Sequence, residues 1–448
     1  MEPLLSFVHE VGYGDLPGPV IAQARRCLLD LAGVAAGGSL TRLSRIVRSH
    51  AAAHFASPGG GARILFDGRR ASPVGAALAG GMTLDSLDAH DGHALTKGHV
   101  GVAVLPALAA YVDAGWAASG AELLTCLVVG YEVATRAGIA LHATACDYHT
   151  SGAWNALGCA AVGARLMGLE AGATRQALGI AEYHGPRSQM MRCIDHPTML
   201  KDGSGWGAMA GVSAAYLAAE GFTGAPALTV EAPEVAEVWA DLGARWRILE
   251  QYFKPYPVCR WAQPAVEAAL ALRRTHRVTG REIERVEVRS FQEALRLAAR
   301  EPRSTEEAQY SLPFPVAAAL VRGRLGPREV EGAIFRDPEI LRLSRSMTLV
   351  EDPEYSARFP AERWARVTFH LADGRTISSQ PCPARGDPAT PLADEEIGAK
   401  YRDLAEPVLG AERAARLGAA IASLGVSEGD GAALLDELLE PPARGARL

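Results

Sequence analysis

The stretch LDAHDGHALTKGH at residues 87–99 is the most informative part of the sequence, because it is a polar loop between two apolar segments. Residues 73–87 and 102–114 on either side of it are rich in small and aliphatic residues, with apolar side chains at helical spacing. This pattern predicts two helices whose small side chains allow close packing. The loop between them holds two carboxylates and three imidazoles. We therefore expect a helical core that concentrates polar side chains at one bend.

Helices are predicted over most of the first half of the chain. Beyond the two above, the segments with helical spacing are 19–36, 43–55, 120–141, 153–167, 174–180 and 208–220. Residues 62–66 are an exception, because they precede Asp67-Gly68 and resemble one arm of a short hairpin. Since 48% of the 448 residues are apolar and only 6% are aromatic, the core should consist of closely packed helices.

Strand patterns are confined to the chain after about Lys254. Residues 286–291 alternate apolar and polar side chains, and residues 365–370 meet residues 376–378 across an Asp-Gly turn signal. The helices predicted among these strands are 262–274 and 305–321. Helices and strands that are mixed in this way predict an α+β unit.

The tail at residues 394–439 returns to an amphipathic helical pattern, so we expect it to pack on the first domain. The predicted architecture is mainly α with a smaller α+β domain. A large all-helical domain would comprise residues 1–253 and 390–448, and an α+β lid domain would comprise residues 254–389.

Composition excludes several classes of function. The net charge is −6 and the basic residues are scattered, so the chain lacks the positive footprint of a nucleic acid binder. The most apolar windows fall short of the ~20 residues that cross a bilayer, and Glu2 does not suit an export signal. Seven cysteines without a CxxC pair indicate reduced thiols and a cytoplasmic protein. The P-loop, GxGxxG and GxSxG motifs are absent, which removes the usual evidence for a nucleotide cofactor or a serine hydrolase.

The 87–99 loop is the first candidate for chemistry. Its candidate residues are Asp88, His90, Asp91, His93 and His99. Imidazole carries protons in either direction near neutral pH, and a neighbouring carboxylate can fix its tautomer. A solvated loop with an aspartate cap is the simpler alternative. His90 and Asp91 would also suit a metal, although no further ligand follows at a set spacing.

Two further candidates each precede a helix of small residues. His149 stands just before the helix at 153–167, where a histidine is as often structural as catalytic. Lys201 precedes the helix at 208–220, where a cation does not complement the helix dipole. Helix amides and an ammonium there would hold a carboxylate, or the lysine would act as a base. An exposed lysine before a glycine-rich turn is the alternative.

A fourth candidate lies at the domain junction, where clefts form. In KPYPVCRWAQ, residues 254–263, the side chains of Lys254, Tyr256 and Arg260 could donate to a carboxylate. A proline-stiffened linker with an interdomain ion pair is the alternative.

Several sequence blocks in a fixed order make the chain resemble the MmgE/PrpD family over nearly its whole length. The blocks are residues 87–99 with 104–107, VVGYEV at 128–133, residues 149–158, ALGIA at 177–181, EGFTG at 220–224, KPYP at 254–257 and YSLPF at 310–314. Many ordered blocks arise by chance far more rarely than one short motif. The resemblance implies a large helical domain with a smaller α+β domain over it, a homodimer, and an active site in the cleft between domains.

The resemblance also implies site residues and a reaction type. By position, Asp88, Asp91, His99, His149 and Lys201 match residues that line the active site in the family. No metal and no organic cofactor is implied. The family includes dehydratases, decarboxylases and epimerases of small di- and tricarboxylates, which share the removal or return of a proton beside a carboxylate.

Two positions depart from the family pattern. The family loop usually reads LDFDDTH where this chain reads LDAHDGH, which removes a hydroxyl and a carboxylate and adds an imidazole. Gln263 stands where several members, decarboxylases among them, carry a histidine. Glutamine cannot shuttle a proton near pH 7. Dehydration is therefore favoured over decarboxylation.

The sequence thus predicts a lyase or isomerase without a cofactor, best described as a 2-methylcitrate-type dehydratase. In this hypothesis His149 or Lys201 is the base, His99 is the acid, and Arg260 with Lys201 clamps a carboxylate. Asp88 and Asp91 would orient the histidines. The residues expected to bind substrate are His90, His93, Lys254, Tyr256, Arg260 and Gln263.

Four alternatives stay open at this point. Within the family, these are an epimerase of an amino- or imino-dicarboxylate and a cis-aconitate-type decarboxylase. From other classes, they are a metal-dependent all-α hydrolase built on His90 and Asp91, and a dimeric binding protein without catalysis.

Overall fold

A computed structural model describes residues 1–427 and 430–442, and its fold is mainly α-helical. The helices of the first 240 residues are α1 (Glu2–Glu10), α2 (Gly18–Gly38), α3 (Arg42–His54), α4 (Pro73–Asp85), α5 (Gly101–Asp113), α6 (Gly120–Thr144), α7 (Gly152–Leu166), α8 (Ala171–His184), α9 (Met190–Asp195), α10 (Ser204–Ala219), α11 (Leu228–Glu231) and α12 (Ala236–Trp239). Two short antiparallel strand pairs accompany these helices: β1 (Ala62–Arg63) with β2 (Arg70–Ala71), and β3 (Gly92–His93) with β4 (Gln251–Tyr252). The helices predicted in this half are confirmed, with ends that differ by a few residues.

An α+β unit follows. Its helices are α13 (Gln263–His276), α14 (Gln292–Leu295), α15 (Thr305–Gln309), α16 (Pro313–Arg322), α17 (Pro338–Ser346) and α18 (Pro353–Arg358). Its strands are β5 (Ile283–Ser290), β6 (Thr348–Glu351), β7 (Trp364–Leu371), β8 (Thr376–Ser378) and β9 (Cys382–Pro383). The sheet order is β6-β5-β7-β8, and β9 also pairs with β7. The strand β5 runs parallel to β6 and antiparallel to β7, with Val288 opposite Val367. The predicted hairpin across the Asp-Gly turn is confirmed as β7 and β8.

The tail forms α19 (Asp394–Leu409), α20 (Ala411–Ser423) and α21 (Asp430–Leu439) and packs on the first helices. Two glycines one turn apart on α2 let α19 come close, since a Cβ on Gly33 would lie 3.1 Å from the Cα of Tyr401. Gly37 is similarly covered by Leu404. The tail therefore lies along α2 with its side chains at short range.

Two hydrophobic clusters organise the chain. The first joins the helices before residue 253 with the tail, and the second joins the sheet with α13, α16 and α17. In the second cluster, Met190, Cys193 and Ile194 of α9 also take part. The mainly α fold with a smaller α+β domain is confirmed, whereas the exact boundaries at 253/254 and 389/390 stay predictions.

The chain enters and leaves the α+β unit at one place. The Phe253 amide donates to the Gly386 carbonyl at 3.0 Å. Gly386 has a φ of +91°, and a Cβ there would lie 2.0 Å from the Phe253 carbonyl oxygen. Only glycine fits this approach, so the two connecting segments are bound side by side.

Several predicted elements are shorter than expected. The helix predicted at 305–321 is divided into α15 and α16, because Pro313 has no N–H to continue the helical ladder. The predicted tail helix breaks at Gly410, which has a φ of +79°. The arm predicted at 62–66 contributes only a two-residue strand. Helix α6 is long and apolar enough to span a bilayer by composition, yet 94% of its apolar window is buried inside the protein.

Candidate functional site

The 87–99 loop lies in the interior of the protein. The side chains of Asp88, His90, Asp91, His93 and His99 are all buried. This burial excludes the alternative of a solvated polar loop. Because an unpaired charge is costly in such surroundings, the contacts of each group determine what it can do.

Asp88 is held by Lys254, which reaches the loop from the domain junction. The Lys254 ammonium donates to the Asp88 Oδ1 at 3.0 Å and to the Asp88 carbonyl oxygen at 2.9 Å. This double contact fixes Asp88 at a φ of +53°, a left-handed conformation rare for residues with a Cβ. Burial acts to raise the pKa of Asp88, but Lys254 and Lys201 outweigh it and lower that pKa to about 2. Asp88 is therefore an ionised carboxylate.

His90 and His99 both face the carbonyl oxygen of Asp91. His99 Nδ1 lies 2.6 Å from this oxygen and His90 Nδ1 lies 3.4 Å from it, with the two rings edge to face at 4.3 Å. Burial, reinforced by Lys254, holds the pKa of both imidazoles well below its usual value. A carbonyl only accepts hydrogen bonds, so we assign the proton of neutral His99 to Nδ1. Its Nε2 then carries a free lone pair.

Two aspartates that sequence reasoning did not select complete the cluster. Asp202 Oδ2 lies 3.6 Å from His99 Nε2, and Asp85 Oδ1 lies 3.3 Å from His90 Nε2. Burial raises the pKa of both carboxyl groups: the charges of Asp85 and Asp88 add to the rise for Asp202, and the charge of Asp88 adds to it for Asp85 against the opposing effect of Lys201. Each imidazole therefore has beside its Nε2 a carboxyl group that can exchange a proton near neutral pH.

Lys201 is a buried cation rather than an exposed lysine. Its Nζ donates to Gln309 Oε1 at 2.6 Å and lies 4.7 Å from the centre of the Tyr310 ring. Burial acts to lower the pKa of Lys201, but the carboxyl groups of Asp88 and Asp85 outweigh it and raise that pKa. A lysine with a raised pKa is suited to bind an anion and poorly suited to be a base.

The Asp91 carboxylate points away from the imidazoles. It accepts a hydrogen bond from the Tyr131 hydroxyl and one from the Gly101 amide at 3.3 Å. Asp91 thus orients the histidines through its carbonyl, where we expected its carboxylate. Burial raises the pKa of Asp91 to about 7 against the opposing effect of Tyr131, while the charge of Asp30 supports the rise.

In residues 1–427 and 430–442, no group of three or more histidine, cysteine or acidic side chains is arranged to hold a metal ion.

His149 lies beside the cluster without a hydrogen bond to it in the described structure. Its ring stacks on His142 at 6.5 Å, and its backbone N–H lies 3.2 Å from His142 Nε2. The nearby Ser151 does join the cluster, because its hydroxyl accepts from the His99 amide and donates to Asp202, both at 2.9 Å. Burial lowers the pKa of His149. Its catalytic role stays a prediction.

His93 and Arg260, which were expected to bind substrate, both face carboxylate partners. His93 Nε2 lies 3.0 Å from Glu250. Arg260 pairs with Asp387 at 2.7 Å and lies 4.3 Å from the centre of the Tyr252 ring. The Arg260 charge is therefore already neutralised, in place of the free carboxylate clamp that we expected.

Tyr256 and Gln263 bind protein groups within the α+β unit. The Tyr256 hydroxyl donates to Glu267 at 2.7 Å. The Gln263 amide donates to the carbonyl oxygens of Tyr256 and Val258, both at 2.8 Å. These bonds stabilise the turn after the domain junction, so both side chains hold the backbone of that turn in place.

A cavity of about 460 Å³ reaches Lys201 and Thr150. Its other walls come from α9, from the segments at residues 186–189 and 196–203 on either side of it, and from Trp206 of α10. Around Lys201, three buried oxygens have no hydrogen-bond partner among the described residues: Asp88 Oδ2, Asp202 Oδ1 and Ser204 Oγ. Buried polar atoms are normally paired, so this region is suited to receive a polar ligand.

Taken together, these features define a mainly helical protein with a smaller α+β domain, whose interior site combines imidazoles, carboxyl groups with raised pKa values and two buried ammonium groups. The chain belongs to the MmgE/PrpD family: the family's N-terminal domain matches residues 2–240 and its C-terminal domain matches residues 256–425. The C-terminal match thus includes α19 and α20, which pack on the helical unit.

Curated relatives include lyases of fungi and bacteria. The chain is 24% identical to the cis-aconitate decarboxylase-like protein oryM of Aspergillus oryzae, over 95% of this chain and 94% of that protein. It is 24% identical to the cis-aconitate decarboxylase of Aspergillus terreus, over 88% of this chain and 86% of that enzyme. It is 33% identical to the 2-methylcitrate dehydratase of Cupriavidus necator, over 27% of each chain.

Proposed function

We propose that the chain is a lyase that removes a proton from the carbon beside a carboxylate of a small di- or tricarboxylate, without a cofactor. The observation that carries this proposal is the state of His99. Its Nδ1 is held by the Asp91 carbonyl at 2.6 Å, its low pKa keeps it neutral, and its Nε2 faces Asp202. A neutral imidazole with a free nitrogen can accept a proton from substrate, and a protonated carboxyl group beside it can donate one.

The balanced step for a dehydration follows from these groups. His99 Nε2 takes the proton, the C–H electron pair becomes the C=C bond, and the C–O bond on the next carbon breaks. The protonated Asp202 supplies its proton to the leaving hydroxide, which departs as water. The proton on His99 then returns to Asp202, 3.6 Å away, which restores both groups. Lys201 would stabilise the negative charge that develops on the substrate carboxylate.

This proposal changes the role expected for His99 from acid to base. It also replaces Lys201 as the base, because the raised pKa of Lys201 favours a permanent cation. Asp202 takes the acid role that we first gave to His99, since its raised pKa provides a proton near neutral pH.

We propose dehydration of a 2-methylcitrate-type substrate as the preferred reaction, and the match to a bacterial 2-methylcitrate dehydratase supports it. Decarboxylation of a cis-aconitate-type substrate is the second candidate, supported by relatives that match 88% to 95% of this chain. Gln263 does not separate the two, because its amide is engaged by backbone carbonyls.

The test is proton NMR of the purified protein in D₂O with hydroxy-tricarboxylates, unsaturated tricarboxylates and amino-dicarboxylates. Loss of water, loss of CO₂ or inversion at carbon distinguishes dehydratase, decarboxylase and epimerase. We expect H99Q to lower turnover by at least about 100-fold, as for loss of an acid-base group. H50Q, on the exposed side of α3, is the matched control. Binding without turnover or deuterium incorporation would indicate a binding protein and refute the proposal.

We also propose a homodimer in the cytoplasm. The helical unit leaves the large apolar side chains of Tyr183, Leu200, Phe222 and Leu228 exposed, and a dimer interface that includes them would remove apolar surface from water. Light scattering with size exclusion would measure the mass, and a monomer at micromolar concentration would contradict this.

A further inference from the structure

The tail helix α19 sends one lysine into the interior, toward the 87–99 loop. The Lys400 ammonium donates to Asp30 Oδ1 on α2 at 2.6 Å and to the carbonyl oxygen of Ala89 at 2.6 Å. The Asp30 side chain is fully buried and the Lys400 side chain is 11% exposed. Ala89 stands between Asp88 and His90, so Lys400 touches the backbone of the loop that carries the site.

Three carbonyl oxygens within residues 88–91 are each bound by a different side chain. Lys254 binds the carbonyl of Asp88, Lys400 binds that of Ala89, and His99 binds that of Asp91. The left-handed conformation of Asp88 costs free energy and persists only where its surroundings enforce it. The two ammonium groups hold the peptide units on either side of Ala89, so together they determine the path of the loop.

We propose that Lys400 is a positioning residue, which fixes the Ala89 peptide and thereby the orientation of Asp88 and of the histidines. Removing the Lys400 ammonium leaves the Ala89 carbonyl oxygen without this hydrogen bond. The loop then samples other conformations, and the alignment of His99 with substrate is lost. Residues that hold a catalytic group in this way typically contribute 10- to 100-fold to activity.

The kinetic part of this inference rests on the proposed function, whereas the contact itself does not. The main variant is D30L/K400M, which removes both charges and fills the space with apolar side chains. Replacing a buried ion pair by apolar residues often preserves stability, so the variant is expected to fold. The control is R402M, which removes an exposed cation from the same helix and leaves the Asp30–Lys400 pair intact.

Hydrogen-deuterium exchange by mass spectrometry gives a readout that needs no substrate. We expect amides in residues 87–99 to exchange at least about 10-fold faster in D30L/K400M than in the wild type or R402M. With the substrate identified by NMR, we expect kcat to fall about 10- to 100-fold while KM changes much less. Thermal melting checks that the variant is folded.

A folded D30L/K400M with wild-type exchange in the loop and wild-type kcat would overturn the inference. If the wild type turns over no carboxylate, the proposed function fails, and the exchange measurement still decides the role of Lys400. Should D30L/K400M not fold, D30N/K400Q is measured by the same criteria, because a neutral pair replaces the ion pair and the ammonium group that binds Ala89 is removed.

Discussion

Asp91 should make the folded protein less stable as the pH rises, and replacing it should remove this loss. Its pKa is raised by burial to about 7, against 3.8 for the exposed group. A carboxyl group with a raised pKa binds its proton more tightly in the folded state. Its contribution is fully present below pH 3.8 and is lost as the pH rises through about 7.

The magnitude follows from the interval that the assay covers. Between pH 5 and the pKa of about 7 lie two pH units, each worth about 1.36 kcal/mol, so the wild type should lose about 2.7 kcal/mol from this group between pH 5 and pH 8. The variant D91N has the shape of the protonated acid. Its amide can accept from Gly101 and donate to the oxygen of Tyr131, which are the present partners of the carboxyl group.

The assay is urea unfolding of wild type and D91N at pH 5 and pH 8. We expect the stability of D91N relative to wild type to rise by about 2–3 kcal/mol from pH 5 to pH 8. D67N is the control, because the arginines around Asp67 lower its pKa against the effect of burial, and its contribution is constant over this range. An equal difference between D91N and wild type at both pH values would refute the reasoning.

Three further predictions concern the site and its scaffold. K254M should cost about 3–5 kcal/mol in unfolding free energy, because it leaves Asp88 buried without its nearest cation; an unchanged urea midpoint would contradict this. His149 has no step in the proposed mechanism, so H149A should fold and lose less turnover in the NMR assay than the at least about 100-fold expected for an acid-base group; a larger loss would make His149 the base in place of His99. G81A should cost about 1–3 kcal/mol, since a Cβ there would meet the α10 backbone at 2.6 Å. The control G172A, where a Cβ meets nothing within 4 Å, should leave the melting temperature unchanged or raise it.

Periodicity predicted the elements well because the patterns are long and local. The apolar spacing in residues 102–114 gives α5, and the Asp-Gly turn gives the β7–β8 hairpin. Pro313 and Gly410 are residues that commonly end helices, but each lies within a long amphipathic pattern, so the sequence predicted one continuous helix across each of them. The strand β6 was missed, since its four residues pair with β5 over a distance that no local pattern reveals.

The site was predicted as a set of segments rather than as a set of contacts. The residues of the 87–99 loop and Lys201 were identified, but Asp85 and Asp202 were not selected, although they adjoin these segments in the sequence. Their importance depends on burial beside Asp88, which only the folded structure provides. For the same reason, the partners of Arg260 and the contact of Lys400 could not be read from spacing.

The shared entry and exit of the α+β unit has a consequence for synthesis on the ribosome. The helices before Phe253 emerge first, yet their hydrophobic cluster is completed by α19, α20 and α21, which emerge after the whole α+β unit. Until residue 400 is translated, Asp30 lacks the ammonium group with which it pairs, and Gly33 has no covering helix. The nascent chain must therefore keep an unfinished helical surface from aggregating until its last segment arrives.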